Sequence, residues 1–257
     1  MKNITKTLII LFLAIFTSHA FAQDEWRHGI GTGIFALNLD GDQGMNTTLF
    51  GPVQVNFDLS TDEISDYVET AFGFGGFSAK GKWKILYSLQ YMELGDDISG
   101  TTSVGAIPVA AKATFTATGA EVAGVYRFAQ SDRNRWGVLG GLRYLKHELD
   151  STLTIGASTF ARNLEENWTD VLIGLTHSAI ISDKWSWNTR VDVGFGGAEG
   201  TLNVDTGASW RFAESWAAKF FGKYTAQDFE NSNKGDADWY LYDVDEFGLG
   251  ATVLYLY

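Results

Sequence analysis

The chain has 257 residues, a formal net charge of −12, no cysteine and only two prolines, and 14% of its residues are aromatic. Because nucleic-acid-binding domains carry basic surfaces, this acidic balance argues against one. The absence of cysteine excludes a small domain held together by disulfides. After residue 23 no stretch approaches the ~20 consecutive apolar residues that a membrane-spanning helix needs.

The first residues of the chain predict an export signal. Lys2 and Lys6 precede a short apolar stretch, and a small-x-small sequence ends at Ala22. The apolar stretch is too short to anchor the chain in a bilayer. We therefore expect residues 1–22 to be a cleaved signal peptide and residues 23–257 to form one exported domain, two units more negative than the whole chain.

Ten segments of the exported domain alternate apolar and polar residues, a period of two that predicts β-strands. They are residues 26–39, 70–80, 82–96, 107–129, 135–151, 167–181, 184–196, 200–213, 215–228 and 240–257. Short polar connections alternate with long acidic ones, and a tryptophan closely follows each short one. This sidedness is typical of an up-and-down transmembrane barrel, with short turns and both termini in the periplasm.

The number of strands is less certain than their type. Ten is the predicted count, and eight and twelve are the alternatives. Residues 52–58 also alternate, and would make twelve strands with a further partner from residues 152–166. A soluble β-sandwich alternates in the same way, but it does not account for aromatic residues at the strand ends.

The outward faces of the predicted strands carry no charge across their middles, and aromatic residues flank them, as in a lipid-facing band with interfacial girdles. With its signal peptide, the tryptophan after each short turn and the C-terminal Val253-Leu254-Tyr255-Leu256-Tyr257, the chain resembles bacterial outer-membrane β-barrel proteins. The resemblance implies that the barrel-assembly machinery recognises the last strand. Proteins of this class usually end in phenylalanine, and Tyr257 keeps the aromatic character.

The inward positions of the strands carry eight basic and five acidic residues, our candidates for lining the lumen. They are Arg27, Lys84, Glu121, Arg127, Arg143, Asp170, Arg190, Asp192, Asp205, Arg211, Lys219, Lys223 and Glu246. One interpretation is a narrow, mildly basic, porin-like pore for small solutes. The other is a salt-bridged core that fills the barrel, and the small size of a ten-stranded lumen favours it.

The first long loop contains the signature of a helix start. Ser60 or Thr61 would cap the helix, and acids follow in its first turn. Ile64, Tyr67, Val68 and Ala71 then recur at helical spacing within residues 58–71. Such a helix either plugs the barrel or lies on its surface.

The sequence predicts no enzyme, cofactor or metal site. His177 and Ser178 are adjacent and point to opposite faces of one strand, so they cannot act as a pair. His147 is expected at the solvent-facing rim, and it is the centre of the less favoured alternative, a membrane-embedded hydrolase. The Asp-Gly-Asp sequence at 40–42 lacks the full spacing of a calcium loop.

The sequence therefore predicts an all-β, antiparallel outer-membrane barrel without enzymatic activity, which forms a narrow channel or a structural barrel. Loop-mediated adhesion is a further alternative. The expected partners are membrane lipid, lipopolysaccharide, the assembly machinery and small solutes, but not nucleic acid.

Overall fold

A computed structural model describes residues 25–47, 51–101 and 108–257. The predicted signal peptide lies outside these residues. The strands are β1 Arg27–Thr47, β2 Gly51–Leu59, β3 Val68–Lys80, β4 Trp83–Thr101, β5 Pro108–Gln130, β6 Asn134–Ile155, β7 Ser158–Ile180, β8 Trp185–Phe195, β9 Gly200–Ala213, β10 Trp216–Glu230 and β11 Tyr240–Leu256. The one helix within the described ranges is α1 Thr61–Tyr67, and no helix there is long and apolar enough to cross a membrane.

Ten strands close into an antiparallel up-and-down barrel, as predicted. From β3 to β11 each strand pairs with the next, β1 pairs with β3, and β11 returns to β1 with Gly29 opposite Leu256. The short connections 81–82, 131–133, 181–184 and 214–215 lie at the end that also holds both chain ends of the barrel. We call this end the turn end and the opposite one the loop end.

The strands at the loop end are longer than the sequence predicted. Residues 40–47 continue β1, and residues 152–166 are not a loop but the tip of the β6–β7 hairpin, which turns at Gly156 with φ 60°. Residues 97–101, which follow the predicted strand 82–96, continue β4. The alternating segment at 52–58 does form a strand, β2, but it pairs only with the loop-end part of β1. It is therefore not a wall strand, which is why the barrel has ten strands and not twelve.

The outer face of the barrel is apolar between its two ends. Ile34, Leu249 and Ile173 project from it and are more than half exposed. At the turn end, four outward tryptophans contact aromatic or imidazole rings on neighbouring strands: Trp83 with Tyr126, Trp136 with His177, Trp185 with Trp210, and Trp216 with Tyr255. This is the predicted aromatic girdle below an apolar band, an arrangement that suits lipid on the outside.

The predicted helix is present but shorter than expected. Ser60 is its N-cap in a complete capping box: its backbone N–H donates to Glu63 Oε2 at 2.9 Å, and the Glu63 N–H donates to Ser60 Oγ. Hydrogen bonds from Ser60 lower the pKa of the Glu63 carboxyl. Val68 and Ala71, expected on the helix, lie among the first residues of β3 instead. Ile64 is the buried residue of α1.

Candidate functional site

The middle of the barrel interior is crossed by a four-residue salt-bridge network, which we call the charged belt. Arg143 Nη2 lies 2.9 Å from Glu121 Oε2 and 3.0 Å from Asp192 Oδ1. Arg190 joins the same two carboxylates, with Nη1 at 2.6 Å from Glu121 Oε1 and Nε at 2.6 Å from Asp192 Oδ2. Because β5 and β8 are three strands apart around the wall, the Glu121–Arg190 bridge runs through the lumen.

The charged belt is balanced in charge and largely satisfied in hydrogen bonds. Two guanidinium groups face two carboxylates, and Asn203 on β9 donates a further bond to Asp192 Oδ2 at 2.9 Å. The Asp192 side chain is fully buried. A buried ion pair is stable only when its geometry is good and its remaining polar atoms find partners. Arg143 Nη1 and Arg190 Nη2 are the belt atoms left without a partner.

Towards the loop end, an aromatic cluster surrounds His147. Its Nδ1 lies 2.9 Å from the Tyr240 hydroxyl, and the rings of Phe115, Trp168 and Tyr242 stand edge-on to the imidazole at 4.5–5.0 Å between centroids. Since β6 and β11 lie on opposite sides of the ring of strands, these contacts cross the lumen. The same cluster contains Ile64, so α1 contributes to the material that fills the loop end.

The expectation that His147 is a solvent-facing rim residue is wrong, because its side chain is only 3% exposed. The hydrogen-bond partner of its ring is a tyrosine hydroxyl, and no ion pair involving His147 occurs among the described residues. The other two described histidines are also structural: His28 Nδ1 contacts Ser78 Oγ, and His177 Nε2 contacts Asn134 Oδ1. His28 is the one described histidine whose ring contacts a serine hydroxyl, and no carboxylate forms an ion pair with any of the three rings among the described residues.

Asp170 is fully buried, and it holds the turn between β8 and β9. One of its oxygens, Oδ1, accepts hydrogen bonds from the backbone N–H groups of Gly197 and Ala198, and Oδ2 accepts one from Thr201 Oγ1 at 2.8 Å. These bonds draw the turn at residues 196–199 against the lumen, where Ala198 joins the aromatic cluster. Both oxygens of the Asp170 carboxylate therefore accept hydrogen bonds from backbone N–H groups or a hydroxyl group.

The remaining inward candidates lie at different heights in the barrel. Glu246, near the aromatic cluster, accepts hydrogen bonds from Gln227 and Tyr242. Lys219 bridges to Asp205. Nearer the turn end is Lys84, whose ammonium lies 4.6 Å from the Phe77 ring centroid. Lys223 lies further along β10 towards the loop end than Lys219, with its ammonium 5.9 Å from the Phe35 ring centroid. Arg127 donates to Gln130 at 3.0 Å, and Arg27 and Arg211 are exposed at the turn-end mouth.

Among the described residues, no group of three or more histidine or acidic side chains is placed to hold a metal ion. Alternation along each strand indicated which residues face inward. The aromatic cluster was not predicted from the sequence. Tyr240 and Tyr242 on the inward face of β11, together with Trp168 on β7, are the residues that could have indicated it.

The fold is that of bacterial outer-membrane β-barrel proteins, as the sequence predicted. The outer membrane protease OmpT from Escherichia coli is similar, with a TM-score of 0.58, 11% identity, and coverage of 93% of this chain and 99% of that chain. The translocator domain of the autotransporter NalP from Neisseria meningitidis gives a TM-score of 0.44 at 15% identity, covering 90% of this chain and 88% of that one.

A third similar structure is Ail, the attachment invasion locus protein of Yersinia pestis, with a TM-score of 0.36 at 11% identity over 91% of this chain and 99% of that one. No protein-family profile and no curated protein sequence matches this chain. The likeness to OmpT, at 11% identity, establishes the fold and not an activity.

Proposed function

We propose that this protein is a non-enzymatic, integral outer-membrane barrel whose lumen is closed at rest, so that it acts through its two ends and not as an open pore. The observation that carries the proposal is the double obstruction of the interior. The charged belt crosses the lumen between β5 and β8, and the aromatic cluster crosses it again between β6 and β11.

The size of the barrel supports a closed lumen. Eight strands leave an interior that side chains just fill, while 16 to 18 are needed for a wide aqueous channel. Ten strands are close to the lower limit, and long arginine and aromatic side chains occupy the inside of this barrel. The alternative, a narrow channel for small solutes, needs both obstructions to move.

The apolar outer face and the aromatic girdle support insertion into the outer membrane, with lipid and lipopolysaccharide as the surrounding partners. In this orientation the turn end and both termini are periplasmic. The last strand, which ends in Tyr257, would be the segment that the assembly machinery recognises.

Single-channel conductance of the refolded mature protein in a planar bilayer tests the closed lumen. We expect no discrete conductance steps from protein whose folding is verified by resistance to heat in detergent. Discrete steps with the wild-type protein would contradict the proposal. In that case replacement of Arg143 and Arg190, one at a time, would show whether the belt selects the ions.

The non-enzymatic assignment is supported by the surroundings of His147. Its ring is enclosed by aromatic side chains, and a general base needs to reach a substrate or a water molecule. Since OmpT is a protease barrel, the test is direct: the folded protein is incubated with denatured protein substrates and a mixed peptide library. Cleavage that disappears in His147→Phe, with the barrel still folded, would favour the hydrolase.

A second candidate function is binding at the loop end, and a specific arrangement of carboxylates favours it. On the outer face, Asp228 lies opposite Asp243 and Asp243 opposite Asp42, while Asp245 lies opposite Asp40 in the next row. We infer that these rows bind cationic partners or lipopolysaccharide bridged by divalent cations. Binding to lipopolysaccharide vesicles with Mg²⁺ and with a chelator, for the wild type and for asparagine variants of the rows, tests this function.

A further inference from the structure

The turn-end part of the lumen gathers more positive charge than the carboxylates among the described residues neutralise. Four cations, Lys84, Arg127, Arg135 and Lys219, project inward from β4, β5, β6 and β10, and we call the space between them the basic chamber. Among the described residues, Asp205 is the one carboxylate that forms an ion pair with any of the four, through Lys219.

These cations lie close enough to repel one another. Lys84 lies opposite Val125, two residues from Arg127, and Arg127 lies opposite Gly137, two residues from Arg135, so these cations are diagonal neighbours on the inner wall. The charge of Lys219 also reaches Lys84. Since β4 and β10 are on different sides of the ring, the repulsion between Lys84 and Lys219 acts across the lumen. Like charges held close in a partly desolvated space destabilise one another.

Several cationic donor groups in the basic chamber have no negatively charged acceptor among the described residues. The Lys84 ammonium lies over the Phe77 ring and has no carboxylate within salt-bridge distance among the described residues. The Arg135 Nε group is buried without a hydrogen-bond partner, and Arg127 donates to the neutral amide of Gln130. The charged belt, by contrast, matches each guanidinium group with carboxylates.

We propose that the basic chamber is a binding site for a multivalent oxyanion of the phosphate type, which enters from the turn end. A recess lined by one sign of charge concentrates counter-ions. Lysine and arginine together are the side chains that recognise phosphate, the arginine with two N–H groups and the lysine as a point charge. The phosphate group belongs either to a small soluble molecule or to the headgroup of a lipid.

The test uses the folded, full-length mature barrel in a maltoside detergent without phosphate. Inorganic phosphate is titrated against it by calorimetry, with ionic strength held constant by chloride. A second arm titrates micellar phosphatidic acid, a lipid whose headgroup is a phosphate monoester. Saturable binding of inorganic phosphate identifies a soluble ligand, and saturable binding of the lipid alone identifies a headgroup.

The variant Lys84→Met is expected to weaken the binding by about tenfold or more, the loss typical of one charge-assisted hydrogen bond. Lys112→Met is the matched control, because Lys112 is an exposed lysine towards the loop end of β5. If Lys84→Met does not fold, Arg127→Gln takes its place. Absence of binding in both arms, or equal weakening by the Lys84 and Lys112 variants, would overturn the proposal, whatever the conductance of the barrel.

Discussion

The charged belt makes a quantitative prediction about Glu121. Its two carboxylate oxygens receive Arg143 and Arg190, and the Glu121 side chain is only 12% exposed. In Glu121→Leu, two guanidinium groups share the single carboxylate of Asp192. Breaking a buried pair by removing one partner typically costs ~3–5 kcal/mol, because the remaining charge is left uncompensated.

Removing a cation together with the anion should reverse most of this loss. In Glu121→Leu/Arg143→Met, Arg190 and Asp192 remain as a direct pair, with Nε and Oδ2 2.6 Å apart. Replacement of a complete buried ion pair by apolar side chains is often close to neutral. We therefore expect the double variant to be within ~2 kcal/mol of the wild type, and so more stable than Glu121→Leu.

The assay is guanidinium unfolding of the barrel in lipid vesicles, followed by the fluorescence of its nine tryptophans. The exposed pair of Lys146 and Glu165 is the control. Glu165→Leu and Lys146→Met, alone or combined, should change the free energy of unfolding by less than ~1 kcal/mol. If the effects of Glu121→Leu and Arg143→Met simply add in the double variant, the two residues are not coupled and the reasoning fails.

Three further predictions concern the ends of the barrel. Asp170→Ala leaves the N–H groups of the 196–199 turn without their acceptor, so we expect a loss of ~1–3 kcal/mol and faster proteolysis at that turn; unchanged cleavage would contradict this. Asp243→Asn removes repulsion between opposed carboxylates, so it should raise the unfolding midpoint slightly at low salt and less at high salt; a lowered midpoint would count against the predicted repulsion. Ser60→Ala should destabilise α1 by ~1 kcal/mol, measured by hydrogen exchange of its amides. The pKa of the Glu63 carboxyl is lower in the folded protein than in the unfolded chain. The stabilisation from its hydrogen bonds with Ser60 is therefore present above ~pH 4.3, the unfolded pKa, and is lost as the pH falls through the folded pKa. The destabilisation caused by Ser60→Ala should accordingly be smaller in acid.

The wall of the barrel could be predicted from the sequence because its signals are local. Alternation along a strand decides which side chains face lipid, and the short polar turns decide where strands reverse. The ends of the strands were less predictable, since polar residues such as those at 152–166 continue a hairpin once the flanking strands are in register. The capping box at Ser60 was predictable for the same local reason.

The interior was less predictable because contacts there join residues that are distant in sequence. His147 and Tyr240 are 93 residues apart, and they meet only because β6 and β11 lie on opposite sides of the ten-stranded ring. Alternation places both side chains inside the barrel, but the height of each depends on the stagger between strands. The prediction that His147 lies at a solvent-facing rim failed on this point.

The stagger between strands also determines how the inward charges are distributed along the barrel axis. Counted along the sequence they give a small basic excess, which suggests a uniform, weakly anion-selective lining. In the folded barrel the charges are sorted by height: Glu121 and Asp192 neutralise Arg143 and Arg190 in the belt, and the excess lies at the turn end around Lys84 and Arg127.

This sorting bears on how a passage could open. Substitution in the belt alone leaves the aromatic cluster across the loop end, so a conducting state requires the displacement of elements that reach into the lumen. Those elements are α1, capped by Ser60, and the 196–199 turn, held by Asp170. Their anchoring bonds lie outside the charged belt, so loosening them and neutralising the belt should be separable effects. The rings of His147 and Tyr240 belong to wall strands, so their contact across the lumen must also be removed, and conductance is expected only when all three changes are combined.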